Sequence, residues 1–449
     1  MSLLLRRVWH EGDLCDMLIV GNRFAEIAPA GTLTAATDAE EPQETGGPTG
    51  PVEVIDAGAR LAIVPPFYNG HTHAAMTLLR GFAEDLSLGD WLNNHIWPAE
   101  AELTAEDVYA GSRLAILEMI KSGTVFFNDM YWEQPATARA AVELGVRAEL
   151  GLLYIDTPDG TPVPRSQQGN TELLDLAPTL PDRVSIAHAP HAPYSVSRAT
   201  LEHIAELAAA DGRRVHTHAA ETAAETAECF ERNGLSPIAY LDSLGLVGPR
   251  TILAHCVHLD DHDRDLLASK QAVVAHMAVS NLKLCSGFFE HEKATTAGCR
   301  IILGTDGAAS NNSLSMFGEM KTAALLAKSQ AGSPLAGRDD AMLAAATVDS
   351  ARAFGIDAGE IAPGRLADAL LVDVDHPAMV ADHSLVANLV YAADPGVIDT
   401  VICDGRVLMR ERVVDGEADI VAAAREASLR VRERGIHRSR STPSTDTAT

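Results

Sequence analysis

Lysine is nearly missing from this chain: six residues in 449, against 29 arginines (35 basic residues less six lysines). Acids outnumber bases 62 to 35, for a formal charge of -27. Such a surface repels phosphate backbones and anionic headgroups, which argues against nucleic-acid and membrane partners. Salt adaptation and a GC-rich genome that favours Arg and Ala codons explain the lysine shortage equally well. Long apolar runs are also absent, and no stretch approaches the ~20 residues a membrane span needs. Met1–His10 does not continue into an apolar segment with a small-residue cleavage site, so no secretory leader is expected. The six cysteines are scattered without the two-residue spacing of thiolate zinc sites or redox pairs. They read as reduced, mostly buried small hydrophobes, and a cytoplasmic location is expected.

What is present is a large apolar content, 47% of the chain, more than one core usually organises. Eight short apolar runs alternate with segments of helical spacing, the pattern of a parallel α/β fold. They are Leu61–Val64 leading to His71, Thr124–Met130, Arg147–Ile155, Val184–Ala187, Val215–Ala219, Thr251–Ala254, Ala272–Ala275 and Arg300–Leu303. Eight strands and their helices fit a (β/α)8 TIM barrel, expected over 61–358. Residues 1–60 and 359–436 read as the two halves of a small β-sandwich domain with a closing helix, and Asp404-Gly405 is a hairpin signal within it. A mobile excursion is expected at 34–51 and a disordered tail at 437–449.

In a TIM barrel, chemistry sits at the C-terminal ends of the strands. Seven of the eight runs put ionisable groups there: His71 and His73, Asp129, His188 and His191, His216 and His218, His255, His276, and Asp306. His71-Thr72-His73 places two imidazoles on one side of a strand end, half of a metal site. His218 and Asp306 arrive on the fifth and eighth runs to complete it.

The segment Asn69-Gly-His-Thr-His-Ala-Ala-Met-Thr-Leu-Leu-Arg-Gly81 resembles the opening signature of amidohydrolase-superfamily deaminases, in particular the 5-methylthioadenosine/S-adenosylhomocysteine deaminases. Ala189–Ser195, His216–Thr222, Leu253–Leu259 and Gly304–Ser313 resemble the same group, in order along the chain. The resemblance implies that His71, His73, His218 and Asp306 hold the metal, while Glu221, His255 and Asp306 handle protons. It favours His218 over His216 as ligand, because His218 stands three residues before Glu221, and leaves His216 as a packed strand histidine. The fourth run carries no lysine to bridge a second metal, so one divalent ion is expected, zinc or ferrous iron. The resemblance also implies that Glu100 accepts hydrogen bonds from a ribose diol, that His191 contacts a purine and that Trp91 binds substrate, in the stretch that shapes the nucleoside pocket.

The expected reaction is hydrolytic deamination of a 6-aminopurine nucleoside, such as 5′-methylthioadenosine or S-adenosylhomocysteine, to the inosine-type product and ammonia. Guanine, a pterin, cytosine or an s-triazine is the alternative substrate, and a non-catalytic barrel scaffold the alternative of another class. A homo-oligomer is compatible with the sequence. His258 and His262 read as solvated side chains beside Asp260 and Asp261. Two departures from the group's pattern, Pro66 before Phe67 and Met277-Ala278 after His276, leave every proposed ligand in place.

Overall fold

Eight parallel strands follow one another in chain order around one sheet: Phe67–Thr72, Thr124–Asp129, Arg147–Tyr154, Val184–Pro190, Val215–Ala219, Thr251–His255, Val273–His276 and Arg300–Leu303. This computed structural model describes residues 2–34, 52–381 and 383–441, with side chains to 434. Helices lie between the strands and cover their outer faces, so that Thr251–His255 and Val273–His276 are buried at every position. The helix starts follow local chemistry. Thr104 and Asp107 form a reciprocal capping box for Ala105–Lys121, and Ser197 caps Arg198–Asp211, which Gly212 ends in a left-handed conformation.

The TIM barrel meets itself between its first and last strands. The His71 carbonyl accepts from Thr305 N at 3.1 Å and Asp306 N at 3.0 Å. Two glycines permit this approach: a Cβ on Gly70 would lie 2.6 Å from Ile302 Cδ1, and one on Gly304 would lie 2.7 Å from His71 N. The seam therefore brings the strand that carries His71 and His73 directly against the one that delivers Asp306.

Leu61–Val64 is not the first barrel strand, contrary to the sequence reading. It pairs with Ala369–Asp373 in a second, mixed sheet that draws on both ends of the chain, in the order Arg406–Met409, Ile398–Cys403, Ala369–Asp373, Leu61–Val64, Ser2–His10, Asp13–Val20, Arg23–Pro29, with Val52–Asp56 also on Ser2–His10. Pro65-Pro66 separates that strand from Phe67–Thr72, because proline has no N–H for a ladder. Asp404 and Gly405 both take positive φ, 52° and 72°, in the hairpin between Ile398–Cys403 and Arg406–Met409.

A buried polar knot joins this sheet to the barrel. Arg147 donates to both oxygens of Asp368, at 2.8 and 3.0 Å, and to Asp404 at 2.9 Å, while Tyr68 Oη donates to Asp368 at 2.9 Å. Helix Glu417–Ser441 closes the fold across Ala105–Lys121, its Arg430 and Arg434 pairing with the buried Asp107. That helix extends through 441, into the range where the sequence suggested a tail. The remainder of the expected tail, 442–449, and most of the expected excursion, 35–51, lie outside the described residues. All six cysteines are unpaired and five are buried; no described helix is long and apolar enough to cross a membrane.

Candidate active site

At the C-terminal mouth of the barrel, ligand atoms of His71, His73 and His218 all lie within 4.8 Å of one another, as do those of His71, His255 and Asp306. Asp306 Oδ1 is 3.5 Å from His71 Nε2 and 3.3 Å from His73 Nε2.

Whether these rings suit a metal depends on which nitrogen each leaves free. The Nδ1 atoms of His73 and His218 donate to the carbonyls of Met130 and His191 at 2.5 and 2.6 Å, and that of His71 meets His216 Nε2 at 2.7 Å. The two carbonyl contacts assign the protons of His73 and His218 to Nδ1 and turn an unprotonated Nε2 inward, and the His216 contact allows the same arrangement at His71. His71 Nε2 is buried without a hydrogen-bond partner, as a nitrogen reserved for a cation would be. Burial also holds His71 neutral, with its pKa lowered to about 4, and lowers that of His218 well below the ordinary range. Three imidazoles and one carboxylate are a donor set that fits a divalent transition metal.

Asp306 is held by its surroundings. Its Oδ2 accepts from Ser280 Oγ at 2.6 Å and Ser310 Oγ at 2.7 Å, and Oδ1 accepts from Gly307 N at 2.8 Å. Burial works against its charge, but the neighbouring imidazoles of His71, His73 and His255 hold its carboxyl well below the usual range. Asp306 and His255 sit at φ 63° and 72°, strained for non-glycine residues and over-determined by these contacts.

Beside the cradle, His255 Nε2 lies 3.6 Å from Glu221 Oε2, and His255 Nδ1 donates to Asn281 Oδ1 at 2.7 Å. Burial lowers the proton affinity of His255, yet Glu221 and Asp306 more than offset this, so its pKa stands above the ordinary value. Burial raises that of Glu221. Thr222, not Glu221, caps the helix that follows. Glu221 is instead aimed by Ser286 Oγ, 3.2 Å from Oε1, and by Glu225, which accepts from the amides of Ala220 and Glu221 at 2.9 and 2.8 Å.

Above these groups opens a pocket. Glu100, His191 and Trp91 all line it, with Glu221, His255 and Asp306 in the same wall. Trp91 opens a short π-helix, Trp91–Ile96, that runs into Trp97–Glu100. Glu100 is buried, and Trp132 Nε1 donates to its Oε2 at 3.2 Å. The pocket continues past Trp97, Glu100, Trp132 and Tyr194 into a wider outer chamber.

Several residues of this mouth escaped the sequence reading. Ser280, Asn281, Ser286, Ser310, Glu225 and Trp132 each contact a site residue, and only the segments around Ser280 and Ser310 gave any signal. His216 is more than a packed strand histidine, because it orients His71. His258 is part-buried rather than freely solvated: its Nε2 donates to Ser286 O at 2.6 Å and anchors the loop that reaches Glu221. His276 stays outside the pocket, packed at 4.7 Å on Phe289.

A sequence model of the amidohydrolase family matches residues 62–408. A 5′-deoxyadenosine deaminase of Methanothermobacter thermautotrophicus is 40% identical over 407 residues, 90% of this chain and 91% of the relative. A 5-methylthioadenosine/S-adenosylhomocysteine deaminase of Archaeoglobus fulgidus is 42% identical over 403 residues, 86% of this chain and 92% of the relative. A crystal structure of an adenosine deaminase from Xanthomonas campestris with bound zinc superposes with a TM-score of 0.86 at 34% identity, covering 96% of this chain and 98% of that one. With the family matched over most of its length and its mouth built as described, this chain belongs to the amidohydrolase family.

Proposed function

We propose that this chain is a metal-dependent hydrolytic deaminase of adenosine-type nucleosides, with one zinc ion held by His71, His73, His218 and Asp306. The observation that carries this reading is the juxtaposition of an inward-facing imidazole and carboxylate cradle with the Glu221–His255 pair at the wall of one pocket. The zinc of the Xanthomonas relative favours zinc over iron. A single ion is favoured by strand Val184–Pro190, which has no lysine to bridge a second.

A divalent ion held by His71, His73, His218 and Asp306 would supply Lewis-acid activation of water, whose pKa such ions lower from ~15.7 to around 7. Asp306 receives the proton this water gives up. His255, held through Nδ1 by Asn281, directs the water at C6 of the purine. Glu221, whose burial favours its protonated form, supplies a proton to N1 and so makes C6 electrophilic. Water contributes its oxygen to C6; one of its protons balances the one gained at N1, the other leaves with the amine as ammonia. Glu100 accepts from the ribose hydroxyls and His191 meets the purine, while the outer chamber leaves room for a 5′ substituent.

A diol-binding carboxylate makes a specific demand. Free adenine leaves Glu100 desolvated and short of partners, so it should be a far poorer substrate than 5′-deoxyadenosine or 5′-methylthioadenosine. Comparing kcat/KM for these compounds tests the reading, with Glu100→Ala expected to narrow the gap. Equal rates on adenine and the nucleosides in the unaltered enzyme would refute it.

A further inference from the structure

Helix Met316–Ala331 lies outside the pocket, yet it carries a fully buried carboxylate, Glu319, aimed at the barrel mouth from behind. Glu319 Oε2 accepts from the amide of Val279 at 3.3 Å. Val279 lies in the short helix Ala278–Lys283, whose N-cap residue Met277 supplies no side-chain cap. The next two residues of that helix reach the site: Ser280 bonds Asp306 Oδ2 at 2.6 Å and Asn281 bonds His255 Nδ1 at 2.7 Å. The other oxygen of Glu319 accepts from Asn311 Nδ2 at 2.6 Å, and the same amide nitrogen donates to the carbonyl of Thr305, also at 2.6 Å. Thr305 immediately precedes Asp306, and Ser310, immediately before Asn311, bonds Asp306 at 2.7 Å.

One carboxylate thus ties together the loops that follow strands seven and eight. We infer that Glu319 is a positioning residue for the deamination proposed above: it holds helix Ala278–Lys283 and the Thr305–Asn311 turn in register, so that Ser280, Ser310 and Asn281 aim Asp306 and His255 at the cradle. The inference rests on that functional reading. A purely architectural role fits the residue poorly. Burying its carboxyl costs desolvation that an apolar side chain of similar size would not, and pushes its pKa up to about 8.

Glu319→Gln keeps the volume but can satisfy only one of the two donors, and Glu319→Leu satisfies neither. Asn311→Ala breaks the same tie from the other side. Each variant is read by thermal melting, by zinc affinity in competition with a chromogenic chelator, and by kcat and KM on 5′-deoxyadenosine at saturating zinc. Loss of a partner behind a metal ligand typically costs 10–100-fold in metal affinity or activity. We expect zinc affinity to fall on the order of tenfold or more in Glu319→Leu and Asn311→Ala, with kcat falling similarly, KM within about twofold, and Glu319→Gln intermediate. Folded Glu319→Gln and Glu319→Leu proteins with the zinc affinity and kcat of the parent would overturn the inference. So would a rise in KM at constant kcat, or losses of zinc affinity and activity that both disappear when expressed per folded protein. If the parent protein binds zinc but deaminates no nucleoside, the functional reading fails, and the comparison of zinc affinities alone decides whether Glu319 organises the cradle.

Discussion

Nδ1 of His71 lies 2.7 Å from Nε2 of His216, both rings wholly buried and inclined at 79° to each other. Only one proton can occupy that contact. Burial lowers the pKa of His216 well below the ordinary range, so it is neutral and able to accept. With the proton on His71 Nδ1, His216 Nε2 accepts it and His71 Nε2 is left free for a metal. His216→Phe removes the acceptor and is expected to weaken zinc binding about 10–100-fold, while His216→Gln retains much of the affinity. A chelator competition measures both; unchanged affinity in His216→Phe would show that the pair does not matter.

Glu221 and His218 stand close together but are expected to fail differently. Glu221 has no place in the cradle, and Glu221→Gln should keep its zinc while losing ~10²–10⁴-fold in kcat, the usual worth of a positioned proton-transfer group. His218→Ala removes a ligand and should lose zinc. Elemental analysis alongside steady-state rates separates the two, and an empty Glu221→Gln protein would reverse the assignments.

The knot between barrel and second sheet predicts a large stability difference. Asp368→Ala leaves Arg147 buried without its main partner and should destabilise the protein by about 3–5 kcal/mol. Glu106→Ala breaks the exposed pair with Arg139 and should cost less than about 1 kcal/mol. Denaturant unfolding distinguishes them, and similar small losses would mean that the knot adds little.

Asp129, at the end of the second barrel strand, accepts from Ala74 N at 2.7 Å and Gln134 Nε2 at 2.8 Å. Burial nevertheless raises its pKa from 3.8 to about 6. The folded state therefore binds this proton more tightly than the unfolded chain does. That contribution is complete below pH 3.8 and is lost as pH rises through about 6, on the order of 2–3 kcal/mol in total. In metal-free protein, Asp129→Asn should flatten the fall in stability across this window. Melting curves from pH 4 to pH 7 with the same slope in both proteins would contradict it.

The barrel and the convergence of His71, His73, His218 and Asp306 at its mouth are legible in the sequence because each leaves a local mark: apolar runs at regular intervals, and these four residues at the ends of three of the strands. Leu61–Val64 was misassigned for an equally physical reason. Its composition marks a buried strand but not which sheet it enters, and the break at Pro65-Pro66 was the available cue. The supporting contacts left no comparable mark. Glu319 meets Val279 forty residues away, Ser286 meets Glu221 across 65, and His216 meets His71 across 145. Such pairs depend on how loops from different strands meet at the mouth, which no short pattern encodes.

The most direct test of the account is deamination of 5′-deoxyadenosine by the purified protein, followed by the ultraviolet change from aminopurine to hydroxypurine and by ammonia release, before and after exhaustive chelation. The account predicts one ammonia per hydroxypurine formed, about one zinc per chain in the active protein, loss of turnover on chelation and its return with zinc. Undiminished activity without metal, or turnover of guanine or a triazine with every adenosine analogue inert, would contradict it.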